Sequence, residues 1–179
     1  MANENALYRI RGKMRVVKKL KKNSFADPGP MWDGIYCRYS SSDQPRYELF
    51  SKLLILEFAT RDEINQAEWL TTKGEVIAVS RDARMVADIY REKLFRRFGP
   101  VLESEKDVFK LDQCPYSDIF VDVSLLDHDR AKWHHRPTWA MGKPDERKVQ
   151  WMVHEGIAGL VTNDSSIAET VKTTSAGSL

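Results

Sequence analysis

The sequence predicts an α/β or α+β fold, a single mixed sheet with helices packed on it, preceded by a basic N-terminal arm. Short apolar runs of strand length alternate with segments of helical period, joined by connections of about two residues, which is how mixed strand–helix domains read. The chain has 179 residues, 42% of them hydrophobic, enough for one core and cramped for two. Its cations crowd the front. The predicted divisions are a basic arm over residues 1–22, a turn-rich linker over 23–51, an α/β domain over 52–172 and a flexible tail over 173–179.

From Tyr8 to Val16 the cations Arg9, Arg11, Lys13 and Arg15 take odd positions, while Tyr8, Ile10, Met14 and Val16 take even ones. That is the period of a half-buried strand with one cationic face. Asp27-Pro28-Gly29-Pro30, Asp33-Gly34 and Ser40-Ser41-Ser42-Asp43 then fill the linker with turn chemistry. Ordered structure is expected from Lys52, where Leu53 to Phe58 reads as a strand. Thr60 followed by Glu63 forms a capping-box signature for a helix ending near Gly74. Glu75 to Ser80 is the next strand. Val86, Tyr90, Leu94 and Phe98 recur every four residues in a helix that Gly99-Pro100 should stop. A short strand is expected at Val108–Leu111, and the strongest and most central one at Asp118–Leu126. Thr138–Met141 is a further strand, followed by a helix that opens near Pro144 and closes at Gly156. Ala158–Thr162 is the last strand, and Asp164 or Ser165 caps a terminal helix of about eight residues.

Composition narrows the classes of function. Charged residues are 30% of the chain and no apolar run nears the roughly 20 residues that span a bilayer, which predicts a chain without a transmembrane segment. Arg9, Arg11, Lys13 and Arg15 interrupt any signal-peptide core, and Cys37 and Cys114 are too few and too far apart for a disulfide framework or a thiolate zinc site. The expected location is intracellular, most simply cytoplasmic, with organelle import left open by the Arg-rich start. Arg9, Arg11, Lys13, Arg15, Lys18, Lys19, Lys21 and Lys22 stand against Glu4, giving residues 1–22 a charge of +7 where the whole chain carries +2. These eight are the candidate polyanion-binding residues, and the partner they imply is nucleic acid, RNA or DNA, or another acidic surface.

The densest chemical cluster follows the strongest strand. Asp127, His128, Asp129, His134 and His135 fall within nine residues, at the strand edge where α/β folds bind ligands. They are the candidate catalytic residues, and His128 and His134 the candidate metal ligands, because imidazole and carboxylate together hold a divalent ion or share acid–base work. Glu57, near the end of its strand, is a further candidate site carboxylate. Trp69, Trp133, Trp139 and Trp151 read as packing residues. Phosphate-cradling loop, nucleophile elbow and HExxH helix are all missing from the sequence.

Trp139-Ala-Met-Gly-Lys-Pro-Asp-Glu, a helix, and Glu155-Gly-Ile-Ala-Gly-Leu-Val-Thr-Asn163-Asp164 together resemble the closing strand–helix–strand of glycerophosphodiester phosphodiesterase barrels. The resemblance covers residues 139–164. It implies a barrel and metal-dependent cleavage of phosphodiesters. The family's early His-Arg-Gly and its Glu-x-Asp pair are not matched: Ile10 precedes Arg11-Gly12, and Ala59 follows Glu57 where the metal-binding Asp belongs, so no catalytic residue carries over. At 179 residues the chain is short for eight strand–helix units, so the resemblance implies at most a degenerate or partial barrel. The leading functional expectation is therefore a polyanion- or nucleic-acid-binding structural protein, with a possible protein partner in assembly. The alternative is a metal-dependent hydrolase, with phosphodiesters as possible substrates and its site at loop 127–135; only this alternative calls for a cofactor, a divalent metal.

Overall fold

The computed structural model describes residues 13–126 and 135–177, and the sheet they form is closed. Eight strands run in sequence order around a barrel: β1 (Arg15–Lys19), β2 (Gly34–Arg38), β3 (Leu53–Glu57), β4 (Val76–Ser80), β5 (Arg97–Leu102), β6 (Ile119–Asp122), β7 (Thr138–Met141) and β8 (Gly159–Thr162). Every neighbouring pair is parallel, and β8 closes onto β1 in the register Arg15↔Gly159 to Lys18↔Thr162. Among the described residues, five α-helices lie outside or between strands: α1 (Gln44–Leu49), α2 (Arg61–Gln66), α3 (Ala83–Glu92), α4 (Glu146–Glu155) and α5 (Ser165–Gly177).

The expected single mixed sheet is thus corrected to a closed, all-parallel barrel, and residues 15–19 of the expected basic arm form its strand β1. Parallel strands in such a fold are buried on both faces, so they read as short continuous apolar runs. Val17, Tyr36, Ile55, Val79, Val101, Phe120, Trp139 and Val161 pack inside the barrel. Val16, Val121, Ala140 and Leu160 face outward against Val149 and Met152 of α4 and Ala168 and Val171 of α5. Ile35, Leu54, Leu56 and Ala78 face outward against Ile64, Val86 and Ile89. In β1 the cations are consequently split. Arg15 and Lys19 belong to the inward row but occupy opposite ends of it, with Val17 between them.

Two strands lie where other structure was expected. β2 runs through the supposed linker, with Gly34 to Cys37 buried. β5 runs through the supposed end of a long helix, because Lys93 takes the left-handed conformation (φ 54°) and ends α3 early. Gly99 and Pro100 are therefore inside a strand. Gly99 is tolerated because a Cβ there would lie 1.7 Å from the Asp118 carbonyl oxygen. Pro100, which cannot donate a ladder hydrogen bond, precedes the β5–β6 register, which begins at Val101↔Phe120. Residues 105–112 form a 3-10 helix instead of a strand, and β6 ends at Asp122 before a 3-10 turn over Val123–Leu125. These short connections, with no helix assigned to residues 20–33 between β1 and β2, let 179 residues complete eight strands where such barrels run to about 250.

The interior is filled at its N-terminal end by one large side chain. Trp139 is fully buried, stacks on Phe120 at 5.6 Å and 7°, and fits because Gly159 beside it has no Cβ. A Cβ at Gly159 would come within 2.4 Å of the indole. Asp118, 1% exposed, accepts the Trp139 Nε1–H at 3.0 Å and a two-pronged pair from Arg97 at 3.2 and 2.5 Å. Arg15 lies over the same indole at 5.1 Å and pairs with Glu75 at 2.9 Å. Among the described residues the N-terminal end thus carries a polar plug.

Candidate active site at the C-terminal mouth

Strand side chains alternate between the two faces, so the inward row of each strand can be followed to the residue that emerges at its C-terminal end. Following Val17, Ile55, Val79, Val101, Phe120, Met141 and Val161 two residues further gives Lys19, Glu57, Arg81, Glu103, Asp122, Lys143 and Asn163. On β2 the interior residue Tyr36 is itself polar, and two residues further lies the exposed Arg38. An apolar barrel interior thus opens onto a rim to which every strand supplies a polar side chain.

Half of this rim is paired within itself. Tyr36 Oη donates to Glu57 Oε1 at 2.5 Å, Arg81 Nε donates to the same oxygen at 3.1 Å, and the other arm of Arg81 pairs with Glu103 at 2.5 Å. Burial pushes the Tyr36 phenol well up, and the Glu57 carboxylate beside it pushes the same way, so the hydroxyl stays protonated and donates. The other half borders a cavity of about 200 Å³ lined by Lys19, Glu103, Asp122, Lys143, Thr162 and Asn163 over an apolar floor of Leu102, Met141 and Val161. Lys19 Nζ stands 5.9 Å from the Tyr36 ring centroid. Neither Lys19 nor Lys143 has an ion-pair partner among the described residues. Asp122 is held by Ser124, whose N–H and Oγ–H both donate to Oδ1, at 3.0 and 2.7 Å.

The expected sites are distributed differently. Asp127, His128, Asp129 and His134 lie outside the described residues, including both candidate metal ligands. His135 sits before β7, at the opposite end of the barrel from the mouth, where its Nε2 is 3.3 Å from Tyr116 Oη. Among the eight cations, Arg9 and Arg11 also lie outside the described residues. Arg15 is engaged in the plug, Lys18 lies 5.8 Å from the Trp32 ring centroid, and Lys13, Lys21 and Lys22 are exposed. Of the six described, Lys19 alone lines the mouth cavity. Glu57 is a rim residue as anticipated, whereas Glu103, Asp122 and Lys143 were not singled out; the i, i+2 continuation of each apolar strand is the signal that finds them. Of the tryptophans, Trp139 packs fully and Trp151 partly, Trp69 is 78% exposed, and Trp133 is outside the described residues.

Among the described residues no three His, Cys, Asp or Glu side chains are close enough to share a metal ion. Between the rim carboxylates Glu57 and Glu103 stands the Arg81 guanidinium, a cation already bridging them. No helix among these residues is long and apolar enough to cross a membrane.

The closed eight-stranded parallel sheet with helices outside it places the chain in the class of TIM-like barrels. Residues 139–164, which resemble the closing unit of the phosphodiesterase barrels, are β7, α4 and β8 and close this barrel too. The coarse agreement extends to the fold. No protein-family model matches the sequence, and no curated protein matches it significantly. Solved structures do match in shape. RipC from Yersinia pestis superposes with a TM-score of 0.62 at 11% identity, over 91% of this chain and 95% of RipC. A cube-shaped, highly porous protein cage designed by fusing symmetric oligomeric domains superposes with a TM-score of 0.55 at 9% identity, over 92% of this chain and 70% of the cage subunit. At these identities the likeness is one of fold.

Proposed function

We propose that this barrel binds a small oxyanion-bearing molecule at its C-terminal mouth, between Lys19 and Lys143, and acts on it there. One observation carries the reading. Two ammonium groups without ion-pair partners among the described residues border one cavity, at the end of the barrel where enzymes of this architecture keep their sites. At the opposite end the described cations Arg15 and Arg97 are instead engaged by Glu75, Asp118 and the Trp139 indole. A cavity of this volume admits a small metabolite or an ester head group. Asp122, fixed by Ser124, is the carboxylate placed to accept a proton or orient a donor from whatever sits there.

The β7–α4–β8 closure supports trying phosphodiesters first as substrates, with and without added divalent cation. Binding itself is tested by calorimetric titration with ethanesulfonate. Replacing Lys19 or Lys143 by Met is expected to weaken it about tenfold each, as removing one arm of a charge-assisted contact does. Unchanged affinity in both variants would end the reading.

A second reading, contact with nucleic acid or another acidic partner, is supported by the exposure of Lys21 and Lys22 on the connection from β1 to β2. It calls for binding of single-stranded RNA that falls steeply with added salt and is lost in the Lys21→Gln, Lys22→Gln double variant. Salt-independent binding would remove it.

A further inference from the structure

The charges around the mouth cavity are sorted by strand. Glu103 after β5 and Asp122 at the end of β6 line one side, while Lys143 after β7, Asn163 after β8 and Lys19 at the end of β1 line the other. Neighbouring strands stand about 4.8 Å apart, so the change of sign between β6 and β7 takes place over the length of a small molecule. Glu103 is already occupied by Arg81. Asp122 is not paired in this way: both donors from Ser124 fall on Oδ1, and no donor among the described residues reaches Oδ2.

From this arrangement we infer that the cavity takes a dipolar ligand, an oxyanion carrying an ammonium group a few ångströms away. The anion lies between Lys19 and Lys143 and the ammonium donates to Asp122. The inference rests on the oxyanion reading above and adds the second group. Ser124 acts as a positioning residue, turning the free oxygen of Asp122 to the ligand. Gly142 (φ 131°) lies in the lining between the two charged walls and presents no side chain to the space the ligand spans.

The test titrates the full chain calorimetrically with 2-aminoethanesulfonate and with ethanesulfonate, which differ by the ammonium group alone. The expected result is about tenfold tighter binding of the amino compound, the size of one well-placed charge-assisted contact. In Asp122→Asn the amino compound should weaken while ethanesulfonate tightens. Such opposite changes would not follow from a general loss of structure. Should that variant fail to fold, the ratio in the unmodified protein still decides. Equal binding of the two compounds, or equal losses in Asp122→Asn, overturns the dipolar inference and leaves the oxyanion reading standing. Binding of neither compound overturns both.

Discussion

Replacing Asp118 by Ala should unlock the N-terminal plug and destabilise the whole barrel. The carboxylate is 1% exposed and takes two guanidinium N–H groups from Arg97, the Trp139 indole N–H and the Ser117 hydroxyl. Removing one member of a buried charged pair costs about 3 to 5 kcal/mol, because the other is left desolvated. Arg97 is 26% exposed and keeps a longer contact to Glu75 at 3.5 Å, so water and Glu75 recover part of that loss. A buried indole N–H left without an acceptor adds about 1 kcal/mol. The expected cost is about 3 to 4 kcal/mol. With a urea dependence of about 2 kcal/mol per molar, the unfolding midpoint should fall by about 1.5 to 2 M. Asp118→Asn, which keeps an acceptor for the indole, should lose about half as much. A midpoint within about 0.5 M of the parent for Asp118→Ala would show that the plug does not hold the barrel closed and would refute this account of the N-terminal end.

Gly159→Ala should destabilise by about 1 to 3 kcal/mol, since its Cβ would lie 2.4 Å from a carbon of a buried indole; thermal unfolding within a degree of the parent would contradict that packing. Cys37 and Cys114 should resist thiol reagents until the chain unfolds, because burial pushes their thiols up to about 12 and about 11 respectively; stoichiometric labelling of native protein at neutral pH would be the opposite result. The hydrogen bond from Arg15 holds the Glu75 carboxyl below its ordinary range. That stability is present above the pH at which Glu75 titrates in the unfolded chain and is lost as pH falls through its folded value. Glu75→Gln should therefore flatten the acid limb of the stability profile below about pH 4, and an unchanged limb would remove Arg15–Glu75 from the plug.

Much of the local structure was legible because it depends on neighbours in sequence. Thr60 and Glu63 form the reciprocal cap expected of them, Asp164 caps the terminal helix, and Gly156 closes α4 in the left-handed conformation. The closed sheet was not legible, because closure is decided by which strands meet, and Arg15↔Gly159 joins residues from opposite ends of the chain. Turn residues hid β2 and a Gly-Pro pair hid β5; both exceptions come from tertiary packing, at the Gly34–Leu53 approach and at the break in register before Val101. The basic stretch misled for a related reason. Alternation put Arg15 and Lys19 on one face correctly, but in a barrel that face is an interior with two ends, so one cation became part of a plug and the other part of a mouth.

The decisive measurement is a crystal of the protein soaked in ethanesulfonate. The sulfonate is expected between the ammonium groups of Lys19 and Lys143, within hydrogen-bonding reach of both. Sulfonate bound instead at Lys21 and Lys22, or at the N-terminal opening with the mouth left empty, would contradict it.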